Sequence, residues 1–322
     1  MIPTTPDFLG IDGVEIITDA RLSEYTTFRL GGPCRALIQC STPDILQSVV
    51  DVFVRTGEPY ILLGGGSNVL VSDRGYEGYV IRYACEQPTI CRTGNILDVL
   101  ACSSLDEVVR YTVDVGLGGL TCCSGIPGGI GGAIVGNAGA WGQQIADRLV
   151  DVTVMDRSGV VARVGADSLE FAYRRSRLQQ DGRILLSARI ALEPEECKQL
   201  ADRREHILKE RADKHPDLDR EPCIGSIFRN IEPTSSAQRR QAAGWFLDQA
   251  GVRGLRVGGA EVYEKHANII VARPDCTAQN VRDLAALMAE AVRNKFNLEL
   301  VREVRCLGHF AGEPDSASQG FF

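Results

Sequence analysis

The spacing of apolar residues near the start of this chain predicts alternating helices and strands. Ser41-Thr-Pro-Asp supplies a hydroxyl cap, a proline and a carboxylate, and apolar residues follow at helical spacing from Ile45 to Val54. Tyr60-Ile-Leu-Leu is a short apolar run that predicts a buried strand, and Tyr79-Val-Ile-Arg-Tyr predicts another. Residues 1–20 lack a comparable pattern, so we expect them to form a loose leader.

A second group of apolar runs predicts more strand than helix. Asn95 to Cys102 indicates a strand, and Ser104-Leu-Asp-Glu then begins a helix that should continue through Val115. After a glycine-rich stretch the pattern predicts three further strands: Val150–Met155, Val160–Val164 and Ile184–Leu192. Ser158-Gly159 is expected to join the first two as a hairpin turn. These elements form a second α+β unit.

The remainder of the chain is expected to be a third α+β unit. A charged amphipathic helix is predicted from Pro194 to Ala212, and Lys214-His-Pro breaks it. Helices are predicted near 236–250 and 277–295, and the final strand is predicted from Leu298 to Leu307. We therefore expect the chain to divide into four segments: 1–83, 84–195, 196–297 and 298–322.

Two glycine-rich loops are the strongest sign of a ligand site. Gly64-Gly-Gly-Ser-Asn directly follows a predicted strand, and a longer loop runs from Ser124 to Gly139. Glycines let backbone N–H groups surround an anion, as in a pyrophosphate site, although tight turns alone would also use them. Neither loop has the third glycine of the Rossmann fingerprint, because Val69 and Ile134 stand there. A dinucleotide would therefore be held by a different fold.

Composition excludes several classes of function. The 322 residues are 44% hydrophobic and 24% charged, which is typical of a globular protein. A net charge of −7 argues against a nucleic-acid partner, and no apolar run approaches the roughly 20 residues that span a membrane. No export signal is visible at the N-terminus and the 11 cysteines show no paired framework, so we expect a cytoplasmic protein with reduced thiols. Four scattered histidines predict no metal site.

Eight segments, taken in order over about residues 20–308, resemble the UDP-N-acetylenolpyruvoylglucosamine reductases (UDP-N-acetylmuramate dehydrogenases, the MurB family). Their order makes the resemblance specific, although each segment alone is a weak signal. The segments are Thr26-Thr-Phe-Arg-Leu-Gly-Gly-Pro, Leu63-Gly-Gly-Gly-Ser-Asn-Val-Leu-Val-Ser-Asp, Ser124-Gly-Ile-Pro-Gly through Gly136-Asn-Ala-Gly-Ala-Trp-Gly, Phe171-Ala-Tyr-Arg-Arg-Ser, Gly225-Ser-Ile-Phe-Arg-Asn, Gly244-Trp-Phe-Leu-Asp-Gln-Ala-Gly, Val257-Gly-Gly-Ala-Glu-Val through Lys265-His-Ala-Asn, and Leu300-Val-Arg-Glu-Val-Arg-Cys-Leu-Gly.

The resemblance implies an α+β architecture of the vanillyl-alcohol-oxidase or PCMH type, with two FAD-binding α+β subdomains and an α+β substrate-binding domain. It implies FAD as cofactor, NADPH as hydride donor and a nucleotide-sugar substrate, in a shorter protein that lacks the tyrosine loop of one branch. We expect a monomer. The residues expected to bind the cofactor are Gly64, Gly65, Gly66, Ser67, Asn68, Ser124, Gly125, Ile126, Pro127, Gly128, Gly131, Gly132, Asn137 and Gly139.

Three residues align with the catalytic residues of the family. Ser226 aligns with the proton donor, although alone a serine there is more often a cap or turn residue. Arg174 aligns with the arginine on the substrate carboxylate; a surface ion pair is the alternative, and Arg175 would point the other way on a strand. Glu303 aligns with the glutamate that shares in proton delivery, unless it merely pairs with its neighbours Arg302 or Arg305.

Four further residues are predicted to bind substrate: Lys214, Asn230, Gln249 and His266. Arg211 is an additional candidate for a phosphate contact. Asn230 is followed by Ile-Glu-Pro, whereas the family has proline there, so its diphosphate contacts are open. Cys122-Cys123 replaces an apolar pair; we expect packing residues, with a place near the flavin as the alternative.

Two other functions remain compatible with the residues alone. One is an FAD oxidoreductase of the same fold that acts on a different substrate, which the sequence after Asn230 leaves possible. The other is a flavin- or nucleotide-binding protein without catalysis. That reading would require Arg174, Ser226 and Glu303 all to be bystanders.

Overall fold

The first sheet begins earlier in the chain than its apolar pattern predicts. The computed structural model describes residues 6–8, 10–233 and 239–311. Its first unit comprises β1 (Glu15–Thr18), β2 (Cys34–Cys40), α1 (Pro43–Thr56), β3 (Tyr60–Leu63), β4 (Val69–Val71) and β5 (Tyr76–Tyr83). The sheet order is β1-β2-β5-β3. A loose leader is therefore wrong for residues 15–18, which form an edge strand because β2 supplies their hydrogen-bond partners.

The predicted helix at the first cap forms as expected. The Thr42 side chain accepts a hydrogen bond from the Ile45 N–H, Pro43 begins the helix, and Gly57 ends it in the left-handed region at φ 69°. One face of α1 is fully buried against the sheet, including Leu46, and forms part of the largest hydrophobic core.

A five-stranded antiparallel sheet forms the second unit, in the order β12-β11-β13-β7-β6. The elements of this unit are β6 (Ile90–Thr93), β7 (Ile96–Leu100), α2 (Leu105–Asp114), β8 (Leu117–Gly118), α3 (Ile130–Val135), β9 (Gly139–Ala140), β10 (Gln143–Gln144), β11 (Leu149–Met155), β12 (Val161–Gly165), β13 (Ile184–Ala191) and β14 (Glu193–Pro194). The pattern missed β6 and α3. Glycines dilute the apolar period of α3, which is short and buries Ile130 and Ile134.

The third unit contains a small antiparallel sheet of three strands. The elements from Cys197 onward are α4 (Cys197–Lys214), α5 (Ala243–Gln249), β15 (Arg256–Val257), β16 (Ala260–Val262), β17 (Ile270–Ala272), α6 (Ala278–Phe296) and β18 (Arg305–Leu307). In this unit α6 packs on the sheet β15-β16-β17 and α5 packs on α6, whereas α4 packs on α2 of the second unit. The helix expected near 236–250 begins only at Ala243, and residues 236–238 lie outside the described part. A strand from Leu298 to Leu307 is wrong, because only its last three residues are a strand.

The C-terminal segment joins the third unit to the first. β18 pairs in parallel with β4, and the Ser72 N–H donates to the Leu307 carbonyl at 2.8 Å. The Asp73 carboxylate accepts from the N–H groups of Ala278 and Gln279 at 2.7 and 3.1 Å, at the N-terminus of α6. A carboxylate there satisfies otherwise unpaired amides and complements the helix dipole. This seam sets the position of the residues just before β18.

Candidate active site

The two glycine-rich loops are in direct contact. A side-chain carbon on Gly65 would lie 2.8 Å from the Gly128 Cα, so glycine is required where the two backbones meet. The Ser67 hydroxyl donates to the Pro127 carbonyl at 3.0 Å. Part of the glycine content therefore serves loop packing, which the sequence could not separate from ligand binding.

Other features of the first loop fit a diphosphate. Its carbonyls bond to neighbouring segments, as the Thr27 N–H donates to the Gly66 carbonyl at 3.1 Å. By contrast, the N–H groups of residues 64–68 have no acceptor within the described part of the chain. Side-chain carbons added to Gly64 or Gly132 would meet nothing within 4 Å. Unpaired amides beside open space are the donor set that an anionic cofactor requires.

Part of the second loop makes internal contacts instead. The Ser124 hydroxyl is buried and donates to the Thr121 carbonyl at 2.7 Å, and the Gly125 N–H donates to Asp106 at 2.6 Å. Three further predicted members also contact protein: the amides of Ile126 and Gly131 donate to the carbonyls of Cys123 and Ala101, and Gly139 pairs with Gln144 in a hairpin.

The Ser226 segment lies between two other segments. On one side Ser226 forms an antiparallel bridge with Ile269, and the Ile227 N–H donates to the Asn268 carbonyl at 2.9 Å. On the other side the Glu303 N–H donates to the Ile227 carbonyl at 2.8 Å. These backbone bonds bring Ser226 and Glu303 into one patch although they are far apart in sequence.

Arg174 lies in a tight turn and not on a strand. Ala172 and Arg175 exchange two backbone hydrogen bonds of 3.0 Å, and Arg174 between them has φ 54°. The strand argument that separated Arg174 from Arg175 is therefore wrong. The turn is held by the Asn137 amide, which donates to the Ala172 carbonyl at 2.8 Å, and by the Gln179 amide, which donates to the Arg174 carbonyl at 3.2 Å.

Arg174 and Glu303 form an ion pair. Arg174 Nε lies 2.8 Å from Glu303 Oε1, and neither side chain is more than a quarter exposed. The alternative, in which Glu303 pairs with Arg302 or Arg305, is wrong. Burial raises the pKa of Glu303 above its usual value, and the charges of Arg174 and Arg229 offset only part of that rise. A carboxyl in this environment retains its proton more readily than an exposed one.

Asn68 connects the first glycine loop to this carboxyl. Its side-chain amide donates to the Glu303 carbonyl at 3.3 Å, and its own carbonyl accepts from the Arg305 N–H at 3.2 Å. The loop suited to an anion therefore directly supports the backbone that carries Glu303. The arrangement combines a basic group, a protonatable carboxyl and a hydroxyl beside a nucleotide-type loop.

Comparison with known proteins agrees with this geometry. The FAD binding domain model matches residues 34–165, and the C-terminal domain model of UDP-N-acetylenolpyruvoylglucosamine reductase matches residues 216–307. The reductase of Geobacter metallireducens is 35% identical, over 91% of this chain and 94% of its own. The reductase of Synechococcus sp. is also 35% identical, over 93% and 96%. The crystal structure of the Thermus caldophilus reductase superimposes on this chain with a TM-score of 0.75 and 31% sequence identity. The match covers 91% of this chain and 98% of the Thermus caldophilus chain.

This chain belongs to the UDP-N-acetylenolpyruvoylglucosamine reductase family. It is therefore an oxidoreductase, and it contains an FAD-binding domain. The predicted α+β fold of the PCMH type is confirmed by the same relatives.

The residues that are predicted to bind the substrate of the reductase lie at separate places around α4 and α5. Lys214, the last residue of α4, is exposed and pairs with Glu210 at 3.3 Å. The Asn230 Oδ1 accepts from the Ala243 N–H at 3.1 Å and so caps α5. Gln249 is exposed at the opposite end of that helix, and no contact in the described ranges joins it to Arg174, Ser226 or Glu303.

His266 is half-buried, and one of its ring nitrogens already has a partner. Its Nδ1 accepts from the Asn268 N–H at 3.2 Å, which requires that nitrogen to be unprotonated. Burial lowers the pKa of His266. The ring of His215 lies 5.5 Å from that of His266, and burial lowers the pKa of His215 to about 4. These contacts within the protein are sufficient to explain His266 as a structural histidine. Its contact with substrate stays a prediction.

Sequence reasoning missed Tyr173 and Arg229. The Tyr173 hydroxyl accepts from the Asn230 N–H at 3.3 Å, and the guanidinium of Arg240 lies 3.7 Å from the centre of its ring. Arg229 contributes positive charge at Glu303. Tyr173 is adjacent to Arg174, and Arg229 is adjacent to Asn230, so their neighbours in the sequence were the available signal.

The cysteines of this reductase are free thiols. Cys122 and Cys123 are buried, with their sulfurs 3.7 Å apart, and they belong to the main hydrophobic core, as expected of packing residues. Within the described residues, no three His, Cys, Asp or Glu side chains are grouped as metal ligands, and no helix is long and apolar enough to cross a bilayer.

Proposed function

We propose that this enzyme reduces UDP-N-acetylglucosamine enolpyruvate to UDP-N-acetylmuramate, with NADPH as reductant, in peptidoglycan precursor synthesis. The observation that carries the proposal is the Arg174–Glu303 ion pair, 2.8 Å long, in the same patch as Ser226. Reductases from two other bacteria, each 35% identical over nearly the whole chain, support the choice of substrate. When bound, FAD would carry hydride from NADPH to C3 of the enolpyruvyl group.

The loops would hold that cofactor through backbone groups. The unpaired amides of residues 64–68 suit its diphosphate, and open space beside Gly64 and Gly132 admits a close approach. Asn68 would then have two roles, since its amide also bonds to the Glu303 carbonyl. Arg211, on α4 beside Gly125, and Lys214 supply positive charge for phosphate groups.

Arg174 would bind the carboxylate of the enolpyruvyl group. Addition of hydride at C3 moves electron density from the double bond through C2 into that carboxylate. A guanidinium already fixed by a turn can stabilise this charge without reorganising. The contact between Arg174 Nε and Glu303 Oε1 keeps the guanidinium in place before substrate arrives, and the carbonyl oxygen of a protonated carboxyl can accept this hydrogen bond as well.

Ser226 would donate the proton to C2. A neutral hydroxyl is a weak acid, so it requires a strongly basic carbanion and a group that replaces its proton. Glu303 suits that second role because burial raises its pKa, so that it is more readily protonated than an exposed glutamate. Glu303 would also hydrogen-bond to the developing enolate.

We further propose that the enzyme is a cytoplasmic monomer that binds neither nucleic acid nor membrane. The net charge of −7 argues against a nucleic-acid partner, and the free thiols are typical of a reducing compartment. The monomeric state stays a prediction. Segments 1–83 and 84–195 would be the two FAD-binding subdomains, segment 196–297 the substrate domain, and 298–322 the part that returns to the active site.

Anaerobic flavin spectroscopy tests the function directly. The purified protein is reduced with NADPH and then mixed with UDP-N-acetylglucosamine enolpyruvate. Reoxidation of the flavin with formation of UDP-N-acetylmuramate is the expected result. Flavin that stays reduced would instead favour a reductase of the same fold with another substrate. This alternative is motivated by Asn230, because it caps α5 in the segment whose sequence departs from that of the family. Protein that binds no FAD would contradict both.

A further inference from the structure

Asn268 is a buried side chain whose polar groups both bond to the backbone of one residue. It is 2% exposed. Its Oδ1 accepts from the Phe228 N–H at 3.0 Å, and its Nδ2 donates to the Phe228 carbonyl at 2.8 Å. The amide therefore imitates a neighbouring strand, satisfying a donor and an acceptor of Phe228 together.

These bonds fix the segment that carries Ser226. Phe228 is two residues from Ser226, and the backbone carbonyl of Asn268 also accepts from the Ile227 N–H at 2.9 Å. Next to this point the ladder consists of one isolated bridge, between Ser226 and Ile269, and no continuous strand pair extends it. The Asn268 side chain thus completes the pairing at a place where backbone alone does not.

The orientation of Asn268 is itself specified. Its N–H donates to His266 Nδ1 at 3.2 Å in a turn that precedes β17. On the opposite side of the Ser226 segment, the Glu303 N–H donates to the Ile227 carbonyl and the Arg229 N–H to the Val301 carbonyl. The segment is therefore held from both sides. Residues 301 and 303 bond to it through backbone groups, whereas Asn268 bonds to it through its side-chain amide as well.

We propose that Asn268 is a positioning residue for proton transfer, which holds Ser226 at its distance from C2 of the substrate. The inference rests on the proposed role of Ser226. Asn268 acts through the backbone of residues 227–228 and makes no contact with the reacting atoms. Asn268→Asp keeps size and the acceptor for the Phe228 N–H, but it places an oxygen against the Phe228 carbonyl.

The test compares the two half-reactions in Asn268→Asp and Asn268→Ala by anaerobic stopped-flow absorbance. We expect flavin reduction by NADPH to stay within about twofold of wild type. We expect reoxidation by the enolpyruvyl nucleotide to slow by about 10- to 100-fold, because small displacements of reacting groups have effects of that size. Reoxidation at the wild-type rate in both variants would overturn the proposal.

Asn280→Ala is the matched control. Asn280 also bonds to backbone in the same unit, where its Oδ1 accepts from the Thr277 N–H at 3.2 Å, but it belongs to the N-terminal cap of α6. We expect it to lower thermal stability and leave the ratio of the two half-reaction rates unchanged. An equal change of that ratio in Asn280→Ala and Asn268→Asp would assign Asn268 to general folding and overturn the proposal.

A second measurement separates this inference from the proposed function. Hydrogen exchange, followed by mass spectrometry of a peptide covering residues 224–230, requires no substrate. We expect faster exchange in Asn268→Asp than in wild type or Asn280→Ala, because the Phe228 segment loses half of its side-chain support. Unchanged exchange would show that Asn268 does not hold the segment. If wild-type flavin is not reoxidised by the nucleotide, the proposed function fails while this result still stands.

Discussion

The first sheet and the active-site patch are both built from extended segments, but they are held in different ways. In the sheet, β2 and β5 pair in a parallel ladder from Cys34 to Cys40, with its centre fully buried. In the patch, segments around Ser226 and Glu303 meet through isolated bridges, and side chains such as Asn68 provide further bonds. A ladder tolerates side-chain changes that keep its pattern, whereas the patch depends on individual polar groups.

The largest expected effect comes from Ser226→Ala. Loss of a positioned proton donor should slow flavin reoxidation by the enolpyruvyl nucleotide about 10²- to 10⁴-fold, while reduction by NADPH stays nearly intact. Stopped-flow absorbance of each half-reaction measures both rates. If both rates fall by the same factor, Ser226 has a structural role. The ratio of the two rates would then be unchanged, as we expect for a substitution in the sheet.

Arg174→Lys should have the next largest effect. Lysine retains the positive charge but cannot offer the planar fork that binds a carboxylate through two bonds, and it loses the Nε contact with Glu303. We expect reoxidation to slow by about 10- to 100-fold, on the scale of losing a preorganised donor. Arg177→Lys, at a nearby exposed ion pair, is the control and should be close to wild type. Equal rates in both variants would contradict a substrate contact at Arg174.

Glu303→Gln separates catalysis from stability through pH. Because burial raises the pKa of Glu303, the protonated carboxyl stabilises the fold at low pH, and this contribution is lost as pH rises through the raised pKa. Glutamine stays neutral, so the variant should gain in unfolding temperature relative to wild type as pH rises. Its reoxidation rate should nevertheless fall. Thermal melts between acid and neutral pH measure the first effect, and a constant difference would contradict the raised pKa.

Asp73→Ala should weaken the seam between the first and third units. The substitution leaves two amides at the start of α6 without their carboxylate, which costs about 1 kcal/mol for a typical cap. Thermal unfolding should show the loss. Asp44→Ala, in the first turn of α1 where Thr42 already provides the cap, is the control and should have a smaller effect. No difference between the two would mean that the seam contributes little.

The smallest functional effect is expected in the sheet itself. Ile38 on β2 is fully buried, and Ile38→Val removes one methyl group, at a cost of about 0.5–1.5 kcal/mol. The ratio of the two half-reaction rates should not change. A changed ratio would show that the sheet transmits strain to the patch, which would remove the distinction between the two regions.

The amino-acid sequence by itself determined the family and those regular elements that have strong local signals. Apolar spacing and caps predicted α1, α2 and the strands β3, β11 and β13, because those signals are local. The segments around Gly64, Arg174, Ser226 and Glu303 indicated the family in their order along the chain. The edge strand Glu15–Thr18 was missed, since a short strand depends on the partner that pairs with it.

Only the tertiary structure decided how the site is assembled. It placed Arg174 in a left-handed turn, paired it with Glu303 and gave Asn137 and Asn268 their tasks as backbone supports. Those bonds join residues that are distant in sequence, and no local propensity specifies them. The reason is physical: helices and ladders satisfy their own backbone groups, whereas irregular segments rely on whichever side chains the fold brings to them.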